Sequence, residues 1–143
     1  MGDVLDGLPC WDNHLHLDAY GLNIKAVREF KKAGGTGFTL VHKPYHHIPV
    51  ESPEDYSKSF AETVRLSDAA RSEGCDVKVV IAPHPAELTE LIKKGLILED
   101  AKKFIIKGLE IAASFISDHK ADGFGEIGRP HYPVPEEVWR ASN

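Results

Sequence analysis

The run Val77-Lys78-Val79-Val80-Ile81-Ala82, closed by Pro83-His84-Pro85, decides how the rest of the chain reads. Six residues is strand length, and a Val/Ile run of this kind belongs to a strand whose two sheet faces are both covered. The prolines then stop the strand and stiffen the loop after it. Upstream, Ser52-Pro53-Glu54-Asp55 supplies an N-cap, a proline at the first helical position and acids in the first turn. Tyr56, Phe60 and Val64 continue one helical face from there toward Gly74. Downstream, 86–94 and 98–118 read as helices, the second carrying Ala101, Ile105, Leu109, Ala112 and Ile116 at helical spacing.

The same alternation extends outward. Gly37 to His42, with Phe38, Leu40 and Val41, is the second strand expected, and Leu8 to Trp11 is the first. Between them Asn23 stands as an N-cap for a helix on Ile24, Val27 and Phe30 that ends at Gly34-Gly35. Ala121 to Ile127 is a weaker fourth strand, loosened by Gly123 and Gly125, and Pro135-Glu136-Glu137-Val138-Trp139 opens a short last helix. Strands joined by long helical crossovers form a parallel sheet, which leaves a doubly wound open sheet or a (β/α)8 barrel. No linker, repeat or low-complexity segment divides residues 1–143, so one unit without an internal boundary is expected.

Composition narrows the partners. Seventeen basic and 22 acidic residues give a formal charge of −5, with only scattered Lys doublets and no basic stripe. That argues against a scaffold held to nucleic acid by counterion release, though an enzyme gripping phosphate through metal needs no such stripe. Cys10 and Cys75 form neither a C-x-x-C nor a disulfide framework and read as reduced thiols. The N-terminal residues lack a basic and apolar signal segment, and no apolar run approaches membrane length, so the expected location is the cytoplasm.

Chemistry gathers at one rim. Seven of the eight histidines, all but His119, come just after a proposed strand, as do eight prolines, so one edge of the sheet is rigid and rich in imidazole. Ligands bind at that edge in parallel α/β folds. His14-Leu15-His16 has two imidazoles two residues apart, on one face of an extended chain, where they could share a metal ion. The spacing alone fits ordinary hydrogen-bonded histidines equally well; the position, flanked by Asp12 and Asp18, favours a ligand pair. Glu126, in Gly125-Glu126-Ile127-Gly128, reads either as a carboxylate bridging to that pair or as a solvated loop acid. His84 between two prolines suits ligand contact or a helix start, His42-Lys43 offers a ligand contact and an anion contact, and His46-His47 reads as solvent-exposed. Residues 123–128 match G-x-G-x-x-G, but Pro130 and Pro133 exclude the helix a dinucleotide site requires.

Asp12-Asn13-His14-Leu15-His16-Leu17-Asp18 resembles the D-x-H-x-H-[LF]-D opening of TatD-type metal-dependent hydrolases in the amidohydrolase superfamily. Gly125-Glu126-Ile127-Gly128 is similar to that family's G-E-I-G after strand four, and Pro83-His84-Pro85 to its H-P after strand three. Lys32-Ala33-Gly34-Gly35-Thr36, Val41-His42-Lys43-Pro44-Tyr45 and Gly128-Arg129-Pro130-His131-Tyr132-Pro133 extend the likeness to the archaeal TatD-related branch. The resemblance implies a (β/α)8 barrel of the TIM type, of which about four βα units are present. It implies one or two divalent ions (Zn, Mn, Ni or Mg) that activate water against a phosphodiester or amide-like bond. By the same likeness His14, His16 and Glu126 bind metal, Glu126 is the catalytic carboxylate, and His84, His42, Lys43, Arg129 and His131 contact a small-molecule or nucleic-acid substrate. Arg129-Pro130 replaces the Leu-Asp that commonly comes after G-E-I-G, so substrate identity does not carry over.

The family draws its remaining ligands from strands five, six and eight, so the expectation is the N-terminal half of a barrel. A half barrel leaves strand edges and an inner face open, which predicts a homo-oligomer or a missing C-terminal half. The alternative reading is a catalytically incomplete barrel fragment that serves as an interaction or ligand-binding module. A small doubly wound domain would suit the length but leaves the histidine-rich rim unexplained.

Overall fold

A computed structural model describes residues 7–129 and 132–142. Three strands, β1 (Trp11–Leu15), β2 (Gly37–Val41) and β3 (Asp76–Val80), form a parallel sheet in the order β1-β2-β3. Five helices accompany them: α1 (Ile24–Lys32), α2 (Tyr56–Ser72), α3 (Glu87–Lys93), α4 (Leu98–Ser117) and α5 (Glu136–Ala141). The alternating chain order and parallel pairing are consistent with part of a TIM barrel.

The ends of α1 and the start of α2 have local causes, and the start of α1 differs from the sequence expectation. A 3-10 turn at Pro53–Asp55 leads into α2, and the Asp55 carboxylate accepts the Ser52 backbone N–H at 2.9 Å and its hydroxyl at 2.8 Å. Those bonds hold the Asp55 carboxyl down at about 2. Asn23, by contrast, makes no side-chain cap for α1, because its backbone lies at φ 47, outside the extended geometry a capping residue uses. Gly34, at φ 100, turns the chain out of α1 and into β2.

The core lies on one face of the sheet. Phe38, Leu40, Val77, Val79 and Ile81 point into it and meet Val27 of α1, Phe60, Leu66 and Ala70 of α2, and Ala112 of α4. Removing a side chain such as Phe60 from water contributes about 1.5–3 kcal/mol. A smaller cluster of Leu88, Leu91, Ala101 and Val138 joins α3, α4 and α5. On the opposite face Trp11 and Lys78 are exposed and Thr39 is half-buried. The expectation that both faces of the third strand are covered therefore fails at Lys78, whose ammonium pairs with Asp122 at 3.2 Å.

The fourth strand is also reduced. Residues 122–125 run parallel beside β3 but register only one bridge, Val80 with Gly123. Val79 donates its N–H to the Asp122 carboxylate rather than to a backbone carbonyl, while Ile81 donates to the Gly123 carbonyl at 3.1 Å. A side chain thus takes a ladder position, and two glycines carry no Cβ to pack, so the segment edges the sheet without extending it.

Candidate metal centre

The centre is assembled at the carboxyl ends of the strands. His14 lies within β1 and His16 just beyond it, across an irregular register between Asp12 and Leu15. The Asp12 carboxylate accepts the His14 backbone N–H at 2.9 Å and ties that irregular turn down. His16 Nδ1 stands 2.8 Å from the Val41 carbonyl oxygen at the end of β2. A carbonyl can only accept, so Nδ1 carries the proton and His16 Nε2 presents a lone pair. That lone pair faces His14 Nε2 at 3.1 Å.

Glu126 arrives from the segment beside β3. A Cβ on Gly125 would stand 2.8 Å from Val80 Cγ2, so only glycine lets the backbone pass this close and deliver the next residue to the rim. Glu126 Oε1 lies 4.0 Å from His14 Nε2, and one ligand atom each from His14, His16 and Glu126 fits within 4.8 Å. Two nitrogens bound tetrahedrally to one zinc ion would stand about 3.4 Å apart, so the two imidazoles have the right separation. An aimed lone pair, a second imidazole and a carboxylate form a donor set that fits zinc or a neighbouring divalent ion.

His84 completes the group in a different capacity. The Ala86 backbone N–H donates to His84 Nδ1 at 3.2 Å, which forces the proton onto Nε2. Nε2 in turn stands 3.4 Å from Glu126 Oε2. His16 and His84 are therefore opposite tautomers: the first offers a lone pair, the second an N–H. Glu126 sits between them, one oxygen toward the histidine pair and one toward a donor.

Other residues proposed from sequence have other fates. His42 is 1% exposed, with Nδ1 2.7 Å from Thr63 Oγ1 and its ring edge-on to Phe60. Burial, helped by the nearby His84 and His16, lowers its pKa to about 3, so it is neutral and belongs to the core. The extended chain turns His42 inward at the strand end, where its Nε2 is buried without a hydrogen-bond partner among the described residues. Lys43 pairs with Asp18 at 2.5 Å, and that bond together with the Tyr20 backbone N–H keeps the Asp18 carboxyl below its usual range. Arg129 stacks its guanidinium over Trp139, 3.6 Å from the ring centre. His131 lies outside the described residues. His46 is exposed as expected, and His47, also exposed, reaches Glu62 at 3.7 Å. Cys10 is exposed, Cys75 is buried, and neither is in a disulfide.

Two groups escaped the sequence reading. Tyr56 donates its hydroxyl to Glu87, whose carboxyl pKa is raised by burial. The sequence shows Glu87 only as an acid in the first turn of a helix, which is its commonest meaning.

The TatD-related DNase model matches residues 11–143. The chain belongs to the TatD-related DNase family. An uncharacterized protein of Methanocaldococcus jannaschii is 37% identical over 145 residues, a match covering 99% of this chain and 49% of that protein. The chain thus spans about half the length of the curated relative it matches. No solved structure matches it. His14, His16 and Glu126 of this TatD-family chain could hold a metal ion. Among the described residues no helix is long and apolar enough to cross a membrane.

Proposed function

We propose that this TatD-family chain forms the N-terminal half of a (β/α)8 barrel and carries the first part of the metal site of a DNA phosphodiester hydrolase. The observation that supports it most is the convergence of His14, His16 and Glu126, with the His16 lone pair aimed by the Val41 carbonyl. A divalent ion bound there supplies Lewis acidity toward a phosphoryl oxygen and lowers the pKa of water.

The chain's own residues divide the remaining work. His14 and His16 would hold the ion through imidazole nitrogens. Glu126 would offer it a carboxylate oxygen and is the proposed catalytic carboxylate. His84, as the N–H donor on Glu126, would orient that carboxylate, and its single Nε2 proton would reach a phosphoryl oxygen only by leaving Glu126. A net-negative protein without a basic stripe must attract phosphate locally, and a divalent ion is the local charge available. Lys43, held by Asp18, would contact phosphate only by sharing that partner. Arg129, stacked on Trp139, and His131 are further proposed substrate contacts.

The open sheet face bearing Trp11, Thr39 and Lys78 would be covered by a C-terminal half or by a second copy of the chain. We place the protein in the cytoplasm, in keeping with its two cysteines being free thiols.

Elemental analysis of purified protein after metal loading tests the reading first. Near-stoichiometric zinc, manganese or nickel, lost in His14→Ala, is expected. Absence of bound metal in the loaded wild-type protein would overturn it. Hydrolysis of a DNA oligonucleotide with added metal then tests the reaction, and hydrolysis that survives His14→Ala and His16→Ala would exclude this centre.

A further inference from the structure

Beside the metal centre a cleft of about 460 Å³ opens between the proline-stiffened loop 44–51 and α3. His84 belongs to both: its Nε2 faces Glu126, and the residue also borders the cleft. The walls are apolar and partly aromatic, formed by Tyr45, Ile48, Val50, Leu91 and Phe104. At the floor lie Tyr56 and Glu87. The Glu87 carboxylate is held in place by the Tyr56 hydroxyl, and the Glu87 backbone N–H donates to the His84 carbonyl at 2.8 Å. The volume is within the range of small-molecule sites, which are mostly apolar with a few fixed polar groups.

We propose that this cleft receives a nucleobase, the base of the nucleotide next to the scissile phosphate, with Glu87 accepting N–H groups from its edge. The proposal deepens the reading of the protein as a DNA hydrolase and rests on it. Charge decides which part of a nucleotide enters. Glu51, Glu87 and Glu90 all line the cleft, against Lys94, His46 and His84, so a phosphate placed at the floor would meet a carboxylate. A flat, uncharged ring with N–H donors suits the floor carboxylate and stacks on the aromatic wall. Guanine and cytosine offer such donors; a sugar phosphate without a base does not.

The shared residue fixes the order of the two sites. With His84 between Glu126 and the cleft, a base seated against Glu87 leaves its phosphate on the Glu126 side. Glu87 is then a specificity-determining residue.

Calorimetric titration of the metal-free protein with guanosine tests the cleft without calling on hydrolysis. Binding in the millimolar range is expected, with none for ribose 5-phosphate. Glu87→Gln keeps the size of the side chain and its contact with Tyr56, and should weaken guanosine binding about tenfold, the loss of one charged hydrogen bond. Glu90→Trp, at an exposed position on α3, should block the cleft and abolish binding. Both variants should retain metal at wild-type stoichiometry. No guanosine binding by the wild-type protein, or equal binding by Glu90→Trp, would overturn the base site while leaving the hydrolase reading intact. Loss of metal binding in the wild-type protein would instead overturn the hydrolase reading, and the base site as a hydrolase subsite with it.

Discussion

His16 and His42 stand just past the ends of neighbouring parallel strands, and the fold treats them oppositely. His16 remains exposed, with its Nδ1 proton spent on the Val41 carbonyl and its lone pair turned outward to His14. His42, next in sequence to Val41, turns inward beneath α2, meets Thr63, and loses its charge to burial. The difference teaches that a histidine's chemistry here is set by what its Nδ1 meets and by whether water reaches its ring. A backbone carbonyl in the open leaves a lone pair accessible; a helix hydroxyl in the core makes a packing group.

The largest break in that comparison comes from the ligand side. His16→Ala should weaken metal binding more than a hundredfold, since disturbing the partners of a ligand alone costs 10–100-fold. The thermal midpoint of the metal-free protein should barely move, because His16 lies outside the core. Metal titration and thermal unfolding on the same sample check both halves. An unfolded His16→Ala would erase the proposed division between site and core.

His42→Ala should do the reverse. Deleting a fully buried ring that touches Phe60 and Thr63 should lower stability by roughly 2–4 kcal/mol, read by urea unfolding of the metal-free protein. A loss under about 1 kcal/mol would mean that the ring contributes little to the packing.

A pH series sharpens the comparison next. The folded pKa of His42 is about 3 and its ordinary value is 6.5, so between these values the unfolded chain binds a proton that the folded chain does not. The contribution is fully present above the ordinary value and is lost as pH falls through that window, at up to about 1.4 kcal/mol per pH unit. His42→Phe should remove this part of the slope. A slope unchanged from wild type would show that other groups carry the acid transition.

The smallest effect belongs to Thr63→Val. It removes the hydroxyl shared by His42 Nδ1 and the Tyr45 hydroxyl, 2.7 and 3.0 Å away, and should cost about 1–3 kcal/mol. Metal binding should not change. A drop in metal affinity would show that the core histidine and the rim are coupled.

Much of the scaffold was legible in the residues, because the signals are local. The Val77 run, the Ser52-Pro53 helix start and the Leu98–Ser117 amphipathic pattern each need only near neighbours to be read. The fourth strand was overread because Gly123 and Gly125 remove the packing that would extend the sheet. The cap expected at Asn23 failed because the backbone enters α1 at positive φ. At the centre, the position of His14 and His16 at a strand exit, flanked by Asp12 and Asp18, favoured a ligand pair where their spacing alone did not, and Gly125 beside Glu126 hinted at close backbone approach. Glu87 and Tyr56 gave no such hint, since 31 positions separate them and each has an ordinary local meaning.

The sequence by itself determined the parallel strand–helix order, the histidine-rich rim and the motifs of the TatD-related family, because periodicity, turn residues and short motifs are encoded by neighbours along the chain. Only the tertiary structure decided which histidines face water, which nitrogen of each carries the proton, and that Glu126 stands between His14 and His84. Those outcomes depend on partners distant in sequence: a carbonyl on the next strand, a hydroxyl on the covering helix, and a glycine that passes close to Val80.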